Sequence, residues 1–423
     1  MVKRPDSFDL AGLQDIREGI ISNEALLDNL RDGSAIVLKG RTRFVAVGKG
    51  LAVKVNTSIG LNSEGELQQE LGKIKAISEL DYKPDTMMDL STRRISSPLY
   101  KHIIETVGCP VGTLPHYLCY DPTRGIDPND MLHEAEAQAK DGVSFMTLHV
   151  TPRRTIYEKA KKMRLTPCTS RGGGIVIHDM YINKREESVI SLLFDEILSI
   201  LAEYNVALSV GTAFRPANVI DAMDEVHQAE IEIQGEYIRR ARTANVQVMM
   251  EGIGHATFDK IETYTHMVKR KYGIPVMPLG PIPTDAAVGF DHVANAIGAA
   301  FVAYLGGADI INSITREEHT GGIPKVDSII EGLRAARVAA HAVNICRFGD
   351  IPKKDFGAAK KRADSYTCVI EGDLFSQSAK ARFSMGCDRC GPECPLIVNY
   401  KLREKATQES GRDARDENKT TRI

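Results

Sequence analysis

Three cysteines stand within eight residues near the carboxyl end, Cys387, Cys390 and Cys394 in the run CDRCGPEC. The C-x2-C-x3-C spacing, with Gly391 and Pro392 forcing a turn, folds three thiols around one centre. Half of a structural zinc site is the plainer reading, but such sites take four ligands and no second CxxC pair exists. The remaining cysteines, Cys109, Cys119, Cys168, Cys346 and Cys368, are scattered and read as small buried hydrophobes. Three thiolates on a four-iron cube leave one iron open. At such an iron a radical enzyme chelates S-adenosylmethionine (SAM) and passes it one electron.

Further candidates lie upstream. Ser170 to Gly174, SRGGG, offers a hydroxyl, a guanidinium on Arg171 and backbone N–H groups that can wrap a phosphate, and Arg215 in FRP supplies a second cation or pairs with a structural acid. His255 in EGIGH and His319 in TREEHTGG could share zinc or another divalent ion, with His116, His149, His266 and His292 competing for that role. Asp89, Tyr117, His149 and Glu251 each sit at or near the end of a short apolar run. For any one of them alone, a structural hydrogen bond is the more common explanation.

These residues need a scaffold that gathers strand ends. Short apolar runs recur at 51–56, 86–91, 111–117, 145–150, 174–180, 206–211, 246–252, 276–281 and 308–314, mostly separated by helix-like stretches such as ESVISLLFDEILSILAEY. Alternating strand and helix implies a parallel sheet, and an α/β fold built on a (β/α)8 TIM-type barrel is the expectation, with one of the nine runs outside the barrel or misread. An open doubly wound sheet is the alternative, but neither GxGxxG nor GxxxxGK[ST] follows a strand. The expected organisation is a small N-terminal domain or cap over 1–45, the barrel over 46–345, a C-terminal cluster-binding segment over 346–400 and a disordered tail over 401–423. With 54 basic and 56 acidic residues the chain has no dominant nucleic-acid surface, and no apolar run suits a membrane span or secretory signal. A cytoplasmic protein is expected.

The ordered blocks KVNTSIG, MMDLST, VGTLPHY, TLHV, SRGG, FRPAN, DAMDEVHQAE, VQVMMEGIGH, LGPIPTDAAVGFDH, TREEHTGGIP, RVAAHA and the late cysteine triplet cover most of the chain. On these blocks the sequence resembles the radical-SAM thiamin-pyrimidine (phosphomethylpyrimidine) synthases and their anaerobic relative, 5-hydroxybenzimidazole synthase. The resemblance implies a homodimeric lyase acting on 5-aminoimidazole ribonucleotide with a [4Fe-4S] cluster, SAM, Zn2+ or another divalent metal and an external one-electron donor. It assigns substrate contacts to Met88, Tyr117, His149, Ser170, Arg171, Gly172, Arg215 and Glu251, the second metal to His255 and His319, and the cluster to Cys387, Cys390 and Cys394. Glu251, His149 and Tyr117 are the candidates for proton transfer or for holding the aminoimidazole.

Departures from the thiamin pattern bear on the product. The usual NAN reads Asn56-Thr57-Ser58, the usual GDGLRPG reads GTAFRPA over 211–217, EGPGH carries Ile253, the Tyr before LGP is Met277, and the second cysteine gap is one residue shorter. Phosphate and metal positions stay while ribose and imidazole positions change. The expectation is therefore 5-hydroxybenzimidazole synthase, which makes the precursor of a cobamide (cobalamin-type) lower ligand. Phosphomethylpyrimidine synthase is the alternative, and a non-radical, metal-dependent barrel lyase the second.

Overall fold

A computed structural model describes residues 10–348, 353–364, 366, 368 and 389–420, and the chain divides into two compact units, 1–347 and 348–423. In the first unit a hairpin of β1 (Ala35–Lys39) and β2 (Phe44–Gly48) precedes the barrel strands β3 (Lys54–Ile59), β4 (Thr86–Asp89) and β5 (Val111–Thr113). A two-residue pair, β6 (Tyr120–Asp121) and β7 (Gly125–Ile126), interrupts them before β8 (Phe145–Leu148), β9 (Ala207–Val210), β10 (Val248–Glu251), β11 (Val276–Met277) and β12 (Ile310–Asn312).

Eight strands pair in parallel in the order β11-β10-β9-β8-β5-β4-β3-β12. The ring closes where Asp309 N–H donates to Val276 O at 2.9 Å and Val276 N–H donates to the Asp309 carboxylate at 2.9 Å. Inside the seam, Asn56 donates to Asn312 at 2.7 Å and accepts from Thr86 at 2.8 Å, while Asn312 donates to Pro278 O at 2.7 Å. Each of these buried amide groups therefore has a partner on a neighbouring strand or on the residue just after one. The expected TIM-type barrel is the fold.

Ile36, Leu38, Val45 and Val47 of the hairpin pack with Phe145, Ala207, Met249, Met277 and Ile310 from the barrel interior. Val37 exchanges hydrogen bonds with the Gln247 side chain at 2.7 and 3.1 Å, and Ser144 donates to Lys39 O at 2.6 Å. Gln247 and Ser144 both precede their strands, so the hairpin plugs the N-terminal end of the barrel. Alternation along β1 and β2 makes this possible, since Ile36 and Leu38 face one way and Ala35 and Val37 the other. Gly112 makes room for Phe145, whose ring would lie 2.2 Å from a Cβ there.

One of the nine apolar runs is corrected. GIVIHDM belongs to a helix, Arg171–Ile182, capped by Ser170, whose Oγ accepts from Gly173 N–H at 3.2 Å. Its buried Val176, Ile177 and Met180 have helical spacing, which a run of apolar residues alone does not distinguish from a strand. Two other expectations change. Cys346 and Cys368 are exposed rather than buried. Residues 401–420 of the tail expected to be disordered lie in the helix Pro395–Thr420, where Lys, Arg, Glu, Ala and Gln supply helix propensity. No helix among the described residues is long and apolar enough to cross a membrane.

Candidate active site at the barrel mouth

With the N-terminal end sealed, the open end is the C-terminal mouth, where five strands deliver side chains. β4 carries Met88, and β5 leads into the short helix Pro115–Cys119 with Tyr117. His149 follows β8, Thr212 and Arg215 follow β9, and Glu251 ends β10. Met88 and Tyr117 belong to one buried apolar cluster with Leu114.

His149 is the hub. Its Nε2 lies 2.7 Å from Ser170 Oγ and 3.8 Å from Glu251 Oε2. Burial, and then the Arg215 cation, hold its pKa down at about 3, so the imidazole is neutral and the Glu251 contact is not an ion pair. Glu251 Oε2 accepts from Thr212 N–H at 2.8 Å and Thr212 Oγ1 at 3.1 Å, and Arg215 Nη1 lies 3.9 Å away. Tyr117 is pushed up to about 12 by burial, with Arg171, Arg215 and the Gly172 backbone drawing it back and Glu251 adding to the rise. The structure thus brings Met88, Tyr117, His149, Ser170, Arg171, Gly172, Arg215 and Glu251 into one neighbourhood.

The glycines at 172–174 open a helix, so SRGGG presents a helix N-terminus rather than a free loop. The positive end of the helix dipole suits an anion there, beside Arg171 and Arg215.

His255 and His319 also converge, with ring centroids 5.0 Å apart. Their Nδ1 atoms are engaged by Asp285 and Asp291, each at 2.6 Å, so the nitrogen available to a metal in each ring is Nε2. Burial lowers the His255 pKa against the pull of Asp285, which favours the neutral, ligating form. Carboxylate-oriented imidazoles are the arrangement metal-binding histidines use. Among the described residues no group of three or more His, Cys, Asp or Glu could hold a metal. The competitors are elsewhere: His266 lies 3.7 Å from Glu262 and His292 lies 3.7 Å from Glu331.

In the second unit, Cys390 and Cys394 flank a single 3-10 turn, Gly391–Glu393, with Gly391 at φ +52° and Cys394 N–H donating to Gly391 O at 3.3 Å. Neither is in a disulfide. Cys387 lies outside the described residues.

Asp89 proves to be a loop anchor. It accepts from Ser91 N–H and Tyr100 N–H, each at 2.9 Å, and burial raises it to about 6. Residues missed in the sequence include Thr212, Asp285, Asp291 and Glu230. Glu230 accepts from Thr151 Oγ1 and Ala213 N–H at 2.6 Å and from Phe214 N–H at 2.9 Å, so it sets the turn that carries Thr212 and Arg215. The 30 and 28 residues separating the His–Asp pairs leave no local spacing signal. Glu230 could have been suspected as an acid on the buried face of the helix Glu225–Thr243.

Comparison with known proteins gives a family model, "Radical SAM ThiC family", that matches residues 13–400. A phosphomethylpyrimidine synthase of Pyrococcus abyssi is 34% identical, over 93% of this chain and 99% of that protein. One from Ignicoccus hospitalis is 35% identical, over 93% of this chain and 92% of its own length. The 5-hydroxybenzimidazole synthase BzaA of Eubacterium limosum is 34% identical, over 92% of this chain and 95% of its own.

Proposed function

Because the chain belongs to the radical SAM ThiC family, we propose that this enzyme rearranges 5-aminoimidazole ribonucleotide to the phosphomethylpyrimidine of thiamin biosynthesis. Two relatives of that name match over 93% of the chain, which supports the pyrimidine product over the benzimidazole expected from the pocket departures. The observation that carries the substrate is the single mouth holding a helix N-terminus, Arg171 and Arg215 beside Tyr117, His149 and Glu251.

The phosphate would lie against the first turn of the helix Arg171–Ile182, between the two guanidiniums. That anchor fixes the ribose and converts the later steps to reactions of held groups. Neutral His149 and the hydroxyls of Ser170 and Tyr117 donate to or accept from the aminoimidazole and ribose. Tyr117, kept protonated by burial, serves as a donor. Glu251 and His149 are the groups that can take up or return a proton at the mouth.

Cys390 and Cys394 on one turn suit two corners of a [4Fe-4S] cluster, with Cys387 as the third ligand in the family pattern. When bound, such a cluster supplies one-electron reductive cleavage of SAM, the source of hydrogen-atom abstraction. His255 and His319 would hold Zn2+ or another divalent ion through Nε2, leaving further coordination sites to water or substrate. A homodimer and an external one-electron donor complete the proposal. On the helix Asp291–Tyr304, exposed Val293, Ile297 and Tyr304 form an apolar face of the kind a subunit contact buries.

The benzimidazole product is the second reading, favoured by one observation: Thr212, where the family pattern has Asp, binds Glu251 directly. Anaerobic reconstitution followed by incubation with 5-aminoimidazole ribonucleotide, SAM and dithionite separates the two, because the benzimidazole is fluorescent and the pyrimidine retains phosphate. Cys390→Ala should abolish turnover. Retained turnover in that variant would point instead to metal-dependent lyase chemistry at His255 and His319.

A further inference from the structure

His116 precedes Tyr117 in the short helix at the mouth and is wholly buried. Among the described residues neither ring nitrogen has a hydrogen-bond partner, and Nδ1 of the adjacent His149 has none either. Two buried imidazoles left in this state cost more than a solvated pair, so a polar contact is missing from the ground state. Their rings are 5.2 Å apart at 63°. Both approach Gly172: a Cβ there would lie 2.4 Å from His149 Nδ1 and 2.8 Å from His116 Nε2. The absence of a side chain at 172 therefore leaves both nitrogens bordering one small space, across which they are not yet hydrogen-bonded.

We propose that His116 is a positioning residue that fixes the tautomer of His149, by pairing its Nε2 with His149 Nδ1 in the space Gly172 leaves open. The direction of the chain follows from its far end. Ser170 Oγ already accepts from Gly173 N–H at 3.2 Å, so its own proton is free for His149 Nε2 at 2.7 Å. The His149 proton then sits on Nδ1 and needs an acceptor, which the unprotonated Nε2 of His116 supplies. Opposing this, Glu251 Oε2 at 3.8 Å draws a proton toward His149 Nε2. His116 decides between the two forms, and with them whether His149 offers the substrate a lone pair or an N–H. The tautomer is a property of the protein alone; its bearing on turnover rests on the function proposed above.

Imidazole nitrogen-15 spectra of the full-length protein, with His149 assigned by its loss in His149→Gln, read the tautomer directly. The wild-type protein should show a protonated Nδ1 and a bare Nε2. In His116→Phe the proton should move to Nε2, and kcat/KM should fall on the order of tenfold to a hundredfold, the scale of one buried hydrogen bond. His116→Gln, which keeps a donor and an acceptor, should restore part of both. His116→Met replaces the Phe variant if that ring does not pack. An unchanged His149 spectrum in the folded Phe or Met variant overturns the proposal, as does a wild-type protein with the proton on Nε2. A wild-type protein with the expected spectrum but no turnover of 5-aminoimidazole ribonucleotide overturns the proposed function and leaves the tautomer assignment standing.

Discussion

Glu230→Gln separates the stability of the barrel from the service of its mouth. Burial raises the Glu230 carboxyl from 4.5 to about 7, against three hydrogen bonds that favour the anion. The folded state therefore holds a proton more tightly than the unfolded state. The stability this contributes is fully present below pH 4.5 and is lost as pH rises through about 7. At about 1.4 kcal/mol per unit the loss amounts to about 3 kcal/mol. Glutamine has no such titration, so the variant should gain about 3 kcal/mol relative to wild type between pH 4.5 and pH 8. For a unit of this size that is about 4 °C in melting midpoint. The sequence has no tryptophan, so circular dichroism is the natural probe. Taking the difference between variant and wild type cancels every other titrating group, including His149 and His227, whose depressed values give the opposite slope. The gain should come with a loss of function. The amide turns an N–H toward Phe214 N–H, which donates at 2.9 Å in the wild type, and releases the turn carrying Arg215. A kcat/KM about tenfold lower at pH 8 is expected from one lost buried hydrogen bond. A midpoint difference that is flat across this range refutes the raised carboxyl, and undiminished kcat/KM refutes the turn as its purpose.

Gly172→Ala should lower the melting midpoint by the equivalent of about 1–3 kcal/mol and nearly abolish substrate binding in calorimetry, because the new methyl meets both imidazoles and both are hemmed in. Asp285→Asn and Asp291→Asn should each weaken Co2+ or Zn2+ binding about 10-fold to 100-fold in a chelator competition, since each carboxylate orients one ligand. Arg164→Met should destabilise the protein by about 3–5 kcal/mol, seen in thermal scans, because it leaves the partly buried Asp224 without its two-pronged partner at 2.6 and 2.7 Å. It also removes the donor to Phe214 O at 2.7 Å, so a fall in kcat/KM should accompany it.

The barrel was legible because each strand is a short apolar run bounded by a polar or glycine-rich turn, and the runs alternate with helices. GIVIHDM misleads because seven residues with four apolar ones fit either period; Ser170 ahead of it, an N-cap residue, carried the helix signal. The site was legible where a polar residue ends a strand run, as with His149 and Glu251, although Asp89 at such an end proves to be a loop anchor, and Met88 was marked only by the family blocks. The plug was not, because the pairing of Val37 with Gln247 spans 210 residues. Orienting groups such as Asp285 and Glu230 were likewise hidden: their partners are fixed by the closed ring of strands, and no local pattern encodes that ring. His116 was read only as one of several candidate ligands, and its lack of partners is a tertiary fact.

The same tertiary facts bear on the product. Asp at position 212 would place a second carboxylate beside Glu251. Threonine instead removes that negative charge and adds its hydroxyl, at 3.1 Å, to the backbone N–H that already donates to Glu251 Oε2 at 2.8 Å. A mouth with one fixed carboxylate and a neutral histidine solvates a cationic aminoimidazole less than one with two carboxylates would. Charge at the imidazole, more than the phosphate anchor, is therefore where this chain departs from the thiamin pattern, and Thr212→Asp is the substitution that should move the product ratio if either branch is open to it. A ratio unchanged by that substitution would put the control of outcome elsewhere in the pocket.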